Sequence, residues 1–333
     1  MYKLKQIPED FIVKEINGII FEDNGNYAYF LLKKKNYNTT KAIETIANSL
    51  RIDAKNISFA GNKDRNAITE QVISIYHGNK NIEGITLKDI ELKYLGNGNK
   101  EVYIGGLTGN EFLITIRNLE NSDINNINEK IKSGKISMPN YFGQQRFSKN
   151  NLLVGRAIIS RDFKEAIKLV LESNSDCNEK IKAHLQKQKN DFIGALKIMP
   201  FKTLKLYVHS YQSYLFNKTL EQYLKTINQD KNIKIPIVGF STELNNHSTG
   251  KIIKKIMEQE KLNERDFIIR AIPDLSSEGG ERNAFIKVND FEIIKSEKDE
   301  LNERKVKMIV SFSLPKGCYA TVMINYLLKV STS

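Results

Sequence analysis

Residues 58–74, SFAGNKDRNAITEQVIS, put one carboxylate between two cations. Gly61 follows a short apolar run, where the chain can turn tightly. Lys63, Asp64 and Arg65 come next, and a strand-like run resumes near Thr69. Cations on either side favour the ionised form of Asp64 and leave groups to meet a phosphate. An ionised carboxylate on a loop can serve as a nucleophile, as a base, or as a stabiliser of developing positive charge. Lys-Asp-Arg in a turn is also the form of an ordinary solvated charge cluster, so the tripeptide alone leaves both readings open.

Residues 137–148, SMPNYFGQQRFS, carry a different chemistry. Pro139 and Gly143 bracket a loop, with Asn140-Tyr141-Phe142 between them. Single-stranded RNA is read by such groups: a ring stacks on an unstacked base, amides read its edge, and an arginine such as Arg146 holds phosphate. Stacking of this kind contributes roughly 1–3 kcal/mol per base. Loop aromatics can equally plug a core. Tyr141 and Phe147 are assigned to the core, and Phe142 to the ligand.

The charge balance suits a polyanionic partner. The 333 residues include 51 Lys and Arg against 39 Asp and Glu, a net charge of +12, with a pI near 9.3. Phosphates attract such a surface, and counterion release makes the affinity salt-sensitive. A merely solvated basic surface has the same composition. Apolar residues make up 40% of the chain, enough to fill packed cores. No apolar run reaches the ~18–20 residues of a membrane span, and no apolar stretch stands behind the first lysines. A soluble, cytoplasmic protein is expected. Cys177 and Cys318 form no CxxC pair, and His77, His184, His209 and His247 are isolated. A disulfide framework, a zinc site and nucleotide-cofactor loops are therefore not expected. Chemistry is left to carboxylates, basic groups and the bound polymer.

The elements that must position these residues follow from periodicity. Phe11, Val13 and Glu15 alternate with Ile12 and Lys14 as in a strand. Tyr27 to Leu32, Ile57 to Ala60, Val72 to Tyr76, Ile85 to Leu95 and Phe112 to Ile116 read as further strands. Thr40 to Leu50 reads as a helix with Ile43, Ile46, Ala47 and Leu50 on one face and Thr39 or Thr40 as its cap. From about 155 to 230 the pattern is helical, as in Phe163, Ile167, Val170 and Leu171, and in Leu204, Val208, Tyr211 and Leu215. A strand at Ile235–Phe240 and a helix at Lys251–Leu262 follow. Strands return at Phe285–Val288, Lys307–Phe312 and Tyr319–Leu328. A strand-rich start, a helical middle and a strand-rich end predict an α+β protein. Residues 1–154 and 284–333 would form one mixed, largely antiparallel sheet with helices, and 155–283 a helix-rich insert.

FAGNKDRNAITEQVIS, PNYFGQQRF and SFSLPKGCYATVMINYLL together resemble the TruD family of tRNA pseudouridine synthases. DFIVKE at 10–15 is similar to that family's opening strand, and HSYQSYLFN at 209–217 to its Gln-Ser-x-Leu-Phe-Asn helix. The matches run in family order over nearly the whole chain. The resemblance implies a pseudouridine synthase fold with an inserted TruD domain, and the isomerisation of uridine to pseudouridine at position 13 of tRNA. It places the catalytic carboxylate at Asp64 and the base-stacking ring at Phe142. It makes Asn140 an orienting residue and puts Lys63 and Glu15 near the site, Glu15 also being suited to fix Lys63. Lys63 or Arg65 would hold the Asp64 carboxylate, and Arg65 and Arg146 would bind substrate. The target uridine would be flipped out at a cost of roughly a few kcal/mol. The isomerisation involves no redox change and no second reactant, so no cofactor or metal is expected. The implied partner is tRNA, with other structured RNA a second class; no membrane and no obligate protein partner are implied, and a monomer is expected.

Two positions depart from the family pattern. Cys318 replaces a serine, and Asn325-Tyr326 stands where an Arg-Glu pair is usual, though Leu314–Ala320 would still close the base pocket. In the insert, Tyr207, Tyr211 and Tyr214 could form a platform for RNA but fit a core better, and Lys251, Lys254 and Lys255 could meet phosphates or only water. The competing functions are a non-catalytic RNA-binding protein or chaperone on the same fold, and another RNA enzyme such as a methyltransferase, for which no glycine-rich cofactor loop speaks.

Overall fold

Alternation at the start of the chain becomes strand β1 (Phe11–Asn17), which buries Phe11 and Val13. The computed structural model describes residues 1–132, 136–147, 150–173, 175–226, 232–244 and 248–328. After β1 come β2 (Tyr27–Lys35), α1 (Thr39–Leu50), β3 (Ile57–Phe59), β4 (Ile68–Tyr76), β5 (Ile90–Gly98), β6 (Leu107–Leu119), α2 (Asn121–Ile131) and β7 (Ile136–Pro139). A helical stretch follows: α3 (Asn151–Ile159), α4 (Phe163–Leu171), α5 (Asn178–Lys187), α6 (Phe192–Lys197) and α7 (Phe201–Tyr223). Then come β8 (Lys234–Ile237), α8 (Ser248–Glu260), β9 (Gly280–Asn283), β10 (Phe285–Lys298), β11 (Val306–Pro315) and α9 (Ala320–Leu327).

The described residues form two compact units, one from 1–137 and 287–328, the other from 138–286. The main sheet has nine strands in the order β5-β2-β4-β1-β6-β11-β10-β7, with β3 added beside β4. The pairing of β1 with β4 is parallel; β1–β6, β6–β11, β11–β10, β2–β4 and β2–β5 are antiparallel. A parallel pair needs a crossover, and β2, α1 and β3 supply it. Ala42, Ile43, Ile46 and Ala47 of α1 pack on Phe30 and Leu32 of β2 and on Ile73 and Ile75 of β4. The cap of α1 is Asn38, whose side chain accepts from the Lys41 N–H. Thr39, expected as a cap, is instead buried and serves the loop described below.

Arg117 on β6 is a buried clasp in this unit. It donates to Asp10 at 2.8 Å, to Asp299 at 2.8 Å and to Glu300 at 3.0 Å. Burial pushes the Asp299 carboxyl up, but the N–H groups of Asn118 and Leu301, the Asn302 amide and Arg117 outweigh it and hold the group at about 2.

In the helical unit, α7 runs through the core and buries Leu204, Val208, Tyr211 and Leu215, the spacing read from the sequence. Helix α3 lies close against it: a Cβ on Gly155 would fall 2.0 Å from the Tyr207 carbonyl oxygen. The unit begins at 138, before the change of pattern at 155, and Asn140, Phe142 and Arg146 are tied into it by hydrogen bonds to Asn283, Asn217 and Ser213.

Two elements differ from expectation. Tyr319–Leu328 is not a strand: Ala320–Leu327 is helix α9, and Ala320, Met323, Ile324 and Leu327 are buried at i, i+3, i+4, i+7 spacing. Its Thr, Val and Ile suggested a strand by propensity; burial of one helical face overrides that weak preference. Strand β5 begins at Ile90, with a 3-10 turn at Lys80–Gly84 before it, where a strand from Ile85 was expected.

Candidate active site

A buried chain of hydrogen bonds holds the loop between β3 and β4. Thr39 Oγ1 accepts from the Lys63 N–H at 2.9 Å and donates to Gln71 Oε1 at 2.9 Å. The Gln71 amide in turn donates to the Gly61 carbonyl at 3.1 Å. One strand side chain and one helix side chain thus fix both ends of Gly61–Lys63. Asp64 follows with its carboxylate about one-third exposed, 2.6 Å from the Lys5 ammonium. Below it lies Lys34, 1% exposed, whose ammonium donates to the Asp64 carbonyl at 3.0 Å and to the Tyr37 carbonyl. Burial pulls Lys34 down to about 8; Asp64 opposes that shift, and Lys63 adds to it.

Lys63 turns to other partners. Its ammonium is 2.7 Å from Glu15 and donates to Asn110 Oδ1 at 2.8 Å. Both Glu15 oxygens are buried, and the Lys63 ammonium is the cation that faces them among the described residues. Arg65 is exposed. The expectation that Lys63 or Arg65 would hold Asp64 is therefore corrected: Lys5 does. Sequence neighbours outside a helix need not share a side, and Lys5 comes from 59 residues away. Lys5 also lies 4.0 Å over the Phe11 ring. The run Lys33-Lys34-Lys35 on β2 held a usable signal, because alternation turns only its middle member inward.

The second candidate cluster belongs to the helical unit. Asn140 is buried, and each of its polar groups has a partner. Its N–H donates to the Ala284 carbonyl at 2.8 Å and its Nδ2 to the Asn283 carbonyl at 3.0 Å. Its carbonyl and Oδ1 accept from Arg282 at 2.9 and 2.6 Å. Phe142 is held through its backbone: Asn217 Oδ1 accepts from its N–H, and Asn217 Nδ2 donates to its carbonyl, both at 2.9 Å. Its half-buried ring meets Phe216 edge-on at 5.3 Å and lies 4.2 Å from the Arg282 guanidinium carbon. Arg146 stands 5.8 Å from the same ring and donates to Ser213 Oγ at 3.3 Å. Tyr141 packs in the same apolar cluster, and burial pushes its phenol up to about 12. Ser148 lies outside the described residues.

The family model described as tRNA pseudouridine synthase D (TruD) matches residues 2–183, 172–234 and 226–326 of this chain. The chain belongs to the TruD family. A Methanosarcina acetivorans protein named probable tRNA pseudouridine synthase D is 32% identical over 98% of this chain and 92% of its own length. An Aquifex aeolicus protein named tRNA pseudouridine synthase D is 28% identical, covering 98% of this chain and 97% of its own. A solved Methanosarcina mazei structure, titled as a TruD protein, superposes with a TM-score of 0.76 at 28% identity, over 99% of this chain and 94% of that one. The α+β architecture and the pseudouridine synthase fold agree with that neighbour.

The departures from the TruD pattern have local structural roles. Asn325 accepts from the Tyr2 hydroxyl, and the Tyr326 carbonyl from Lys130, whose ammonium also lies 4.5 Å over the Tyr326 ring. These residues tie α9 to the start of the chain and to α2. Leu314 pairs with Asn110, which pairs with Glu15 on its other side, so the Leu314–Ala320 loop leaves β11 beside the row that carries Glu15. Cys318, in that loop, is half-buried. In the insert, Tyr207 and Tyr211 are core residues, and Tyr211 and Tyr214 both donate to Glu260. Lys251, Lys254 and Lys255 are exposed on α8. His247 lies outside the described residues. Among the described residues no group of His, Cys, Asp and Glu is arranged to hold a metal ion, and no helix is long and apolar enough to cross a membrane.

Proposed function

We propose that this chain converts uridine to pseudouridine at position 13 of tRNA, with Asp64 as the catalytic residue. The observation that carries the reading is a partly exposed carboxylate, fixed by Lys5, on a loop that a buried hydrogen-bond chain holds still, in a chain that matches the TruD family from end to end. Phe142 stacks on the flipped-out base, and Asn140 orients it. Lys63 and Glu15 form the charged wall behind the loop, while Arg65 and Arg146 meet phosphate. Other structured RNA is a second substrate class, and the reading carries a cytoplasmic location with it.

The reaction breaks the N1–C1′ bond, turns the uracil and joins C5 to C1′. The proton on C5 is lost and N1 takes one up, so the composition of the nucleotide is unchanged. No electrons are exchanged and no second molecule enters, so the chemistry needs no cofactor. Positive charge develops at the sugar as the bond breaks, and a carboxylate at Asp64 meets it as nucleophile, as base, or as electrostatic partner. Preorganised charge costs no reorientation at the moment of reaction, which is what the Lys5 contact and the anchored loop provide.

The test is to incubate the protein with unmodified tRNA transcripts and EDTA, without cofactor, and to map pseudouridine at nucleotide resolution beside Asp64→Asn. Product at position 13 with wild type, and none with the variant, is the expected result. Salt-sensitive tRNA binding without product would replace the synthase with a binding protein. Product from Asp64→Asn at the wild-type rate would remove Asp64 from the chemistry.

A further inference from the structure

We propose that Arg282 is a positioning residue for the uridine site, setting the Asn140 amide and the Phe142 ring in the arrangement that receives the base. The inference rests on the roles of Asn140 and Phe142 proposed above. Arg282 lies on β9, in the short sheet that β8 and β9 form within the helical unit, and belongs to no motif singled out in the sequence. One planar guanidinium there does two things. Its edge donates to the Asn140 carbonyl at 2.9 Å and to Asn140 Oδ1 at 2.6 Å. Its carbon stands 4.2 Å from the centroid of Phe142 and 5.9 Å from that of Phe216.

The chemistry of the pair fixes a direction. Arginine has only donors, so the end of the Asn140 amide that faces it must be oxygen. The Asn283 carbonyl has only lone pairs, so the end facing it must be NH₂. The amide is therefore locked against a flip, with one of its two N–H bonds left over to meet an acceptor such as a uracil carbonyl. A reversed amide would present an oxygen to that acceptor and repel it. The stacked guanidinium meanwhile steadies the ring on which the base would lie. Lysine would supply the charge but neither the planar fork nor the flat contact.

The test compares Arg282→Lys and Arg282→Gln with wild type in pseudouridine formation, in tRNA affinity at several salt concentrations, and in thermal midpoint. Misplacement of a positioned group by about an ångström costs on the order of 10²-fold. The expected result is a fall of that size in kcat for both variants, with Kd and its salt dependence within about threefold of wild type (a phosphate-binding cation would instead lower the salt slope by about 1). In an Asn140→Ala background, Arg282→Lys should add less than about threefold, because the two residues act as one unit. Unchanged kcat in a folded variant, or loss confined to Kd with lysine restoring it, would overturn the proposal. Full additivity with Asn140→Ala would do so as well. If wild type forms no pseudouridine, the synthase reading falls and Arg282 falls with it; if wild type is active and the variants match it, only the role of Arg282 falls. Should one variant fail to fold, the other decides.

Discussion

Asp64 stands among ammonium groups, whereas Phe142 stands among amides, rings and a guanidinium. Around Asp64, Lys5 touches the carboxylate, Lys34 the carbonyl behind it, and Lys63 with Glu15 forms a buried pair alongside. Around Phe142, Asn217 holds both backbone groups, and Phe216 and Arg282 pack on the ring. The difference teaches what each region must keep constant. A reacting carboxylate depends on local charge, which acts over several ångströms and tolerates small displacements. A stacking ring depends on orientation, which only short, directional contacts control.

The contrast can be broken, beginning where the effect is largest. Asp64→Asn keeps shape and removes charge. Product formation should drop roughly 10⁴-fold or more, while tRNA affinity stays within about threefold; equal losses in both would mean that Asp64 binds and does not react. Next comes the buried pair behind the loop. Glu15→Gln leaves the buried Lys63 ammonium without its counter-charge, and urea unfolding should show a loss of about 3 kcal/mol. The double variant Glu15→Gln/Lys63→Met should recover part of that loss. On the other side, Phe142→Ala should weaken the productive complex by about 1–3 kcal/mol, read in kcat/KM, with Phe142→Tyr close to wild type. If Phe142→Ala were silent, orientation would not be what that region supplies.

The smallest effect sharpens the electrostatic side. Lys34 loses its proton near 8 when folded and near 10.5 when unfolded. Between those values the unfolded chain binds more protons, so this residue's contribution to stability rises with pH through that window. Below about 8 both states are charged, and burial of the ammonium costs its full amount. Unfolding free energies at pH 7.5, 9 and 10 should therefore climb more steeply for wild type than for Lys34→Met. Parallel curves would show that Lys34 is charged throughout.

How much of this was legible in the sequence depends on how far apart the cooperating residues lie. Strands β1, β2, β4 and β6 and helix α1 followed from periodicity, because each buries a regular set of its own side chains. Helix α9 did not, since its β-branched residues favour a strand until a tertiary surface accepts their helical face. Both candidate segments were visible as motifs. What holds them was not. Lys5 and Arg282 carry no local signature, and the alternation that turns Lys34 inward does not name Asp64 as its partner; each reaches its partner across a fold that only long-range pairing creates. Asn217 was in view as the end of a motif, but its task, holding the backbone of Phe142, lies in a contact 75 residues away. The helical pattern begins at about 155 while the compact unit begins at 138, because the contacts of Asn140 with Asn283 and Arg282 and of Phe142 with Asn217 are long-range and leave no periodic trace in the sequence.

Arg117 sets a schedule. One of its carboxylate partners is residue 10 and the others are residues 299 and 300, so they lie far apart on either side of it in the chain. A growing polypeptide has Asp10 and Arg117 together long before Asp299 is translated, and β6 stays an open edge until β11 is made. The apolar clusters of the helical unit, in contrast, draw among the described residues on positions between Tyr141 and Phe285. Nascent domains fold as units when their residues are available. The segment that begins second is thus the first able to finish, and the strands that carry Asp64 must wait on the ribosome, edge exposed, until the last part of the chain closes over them.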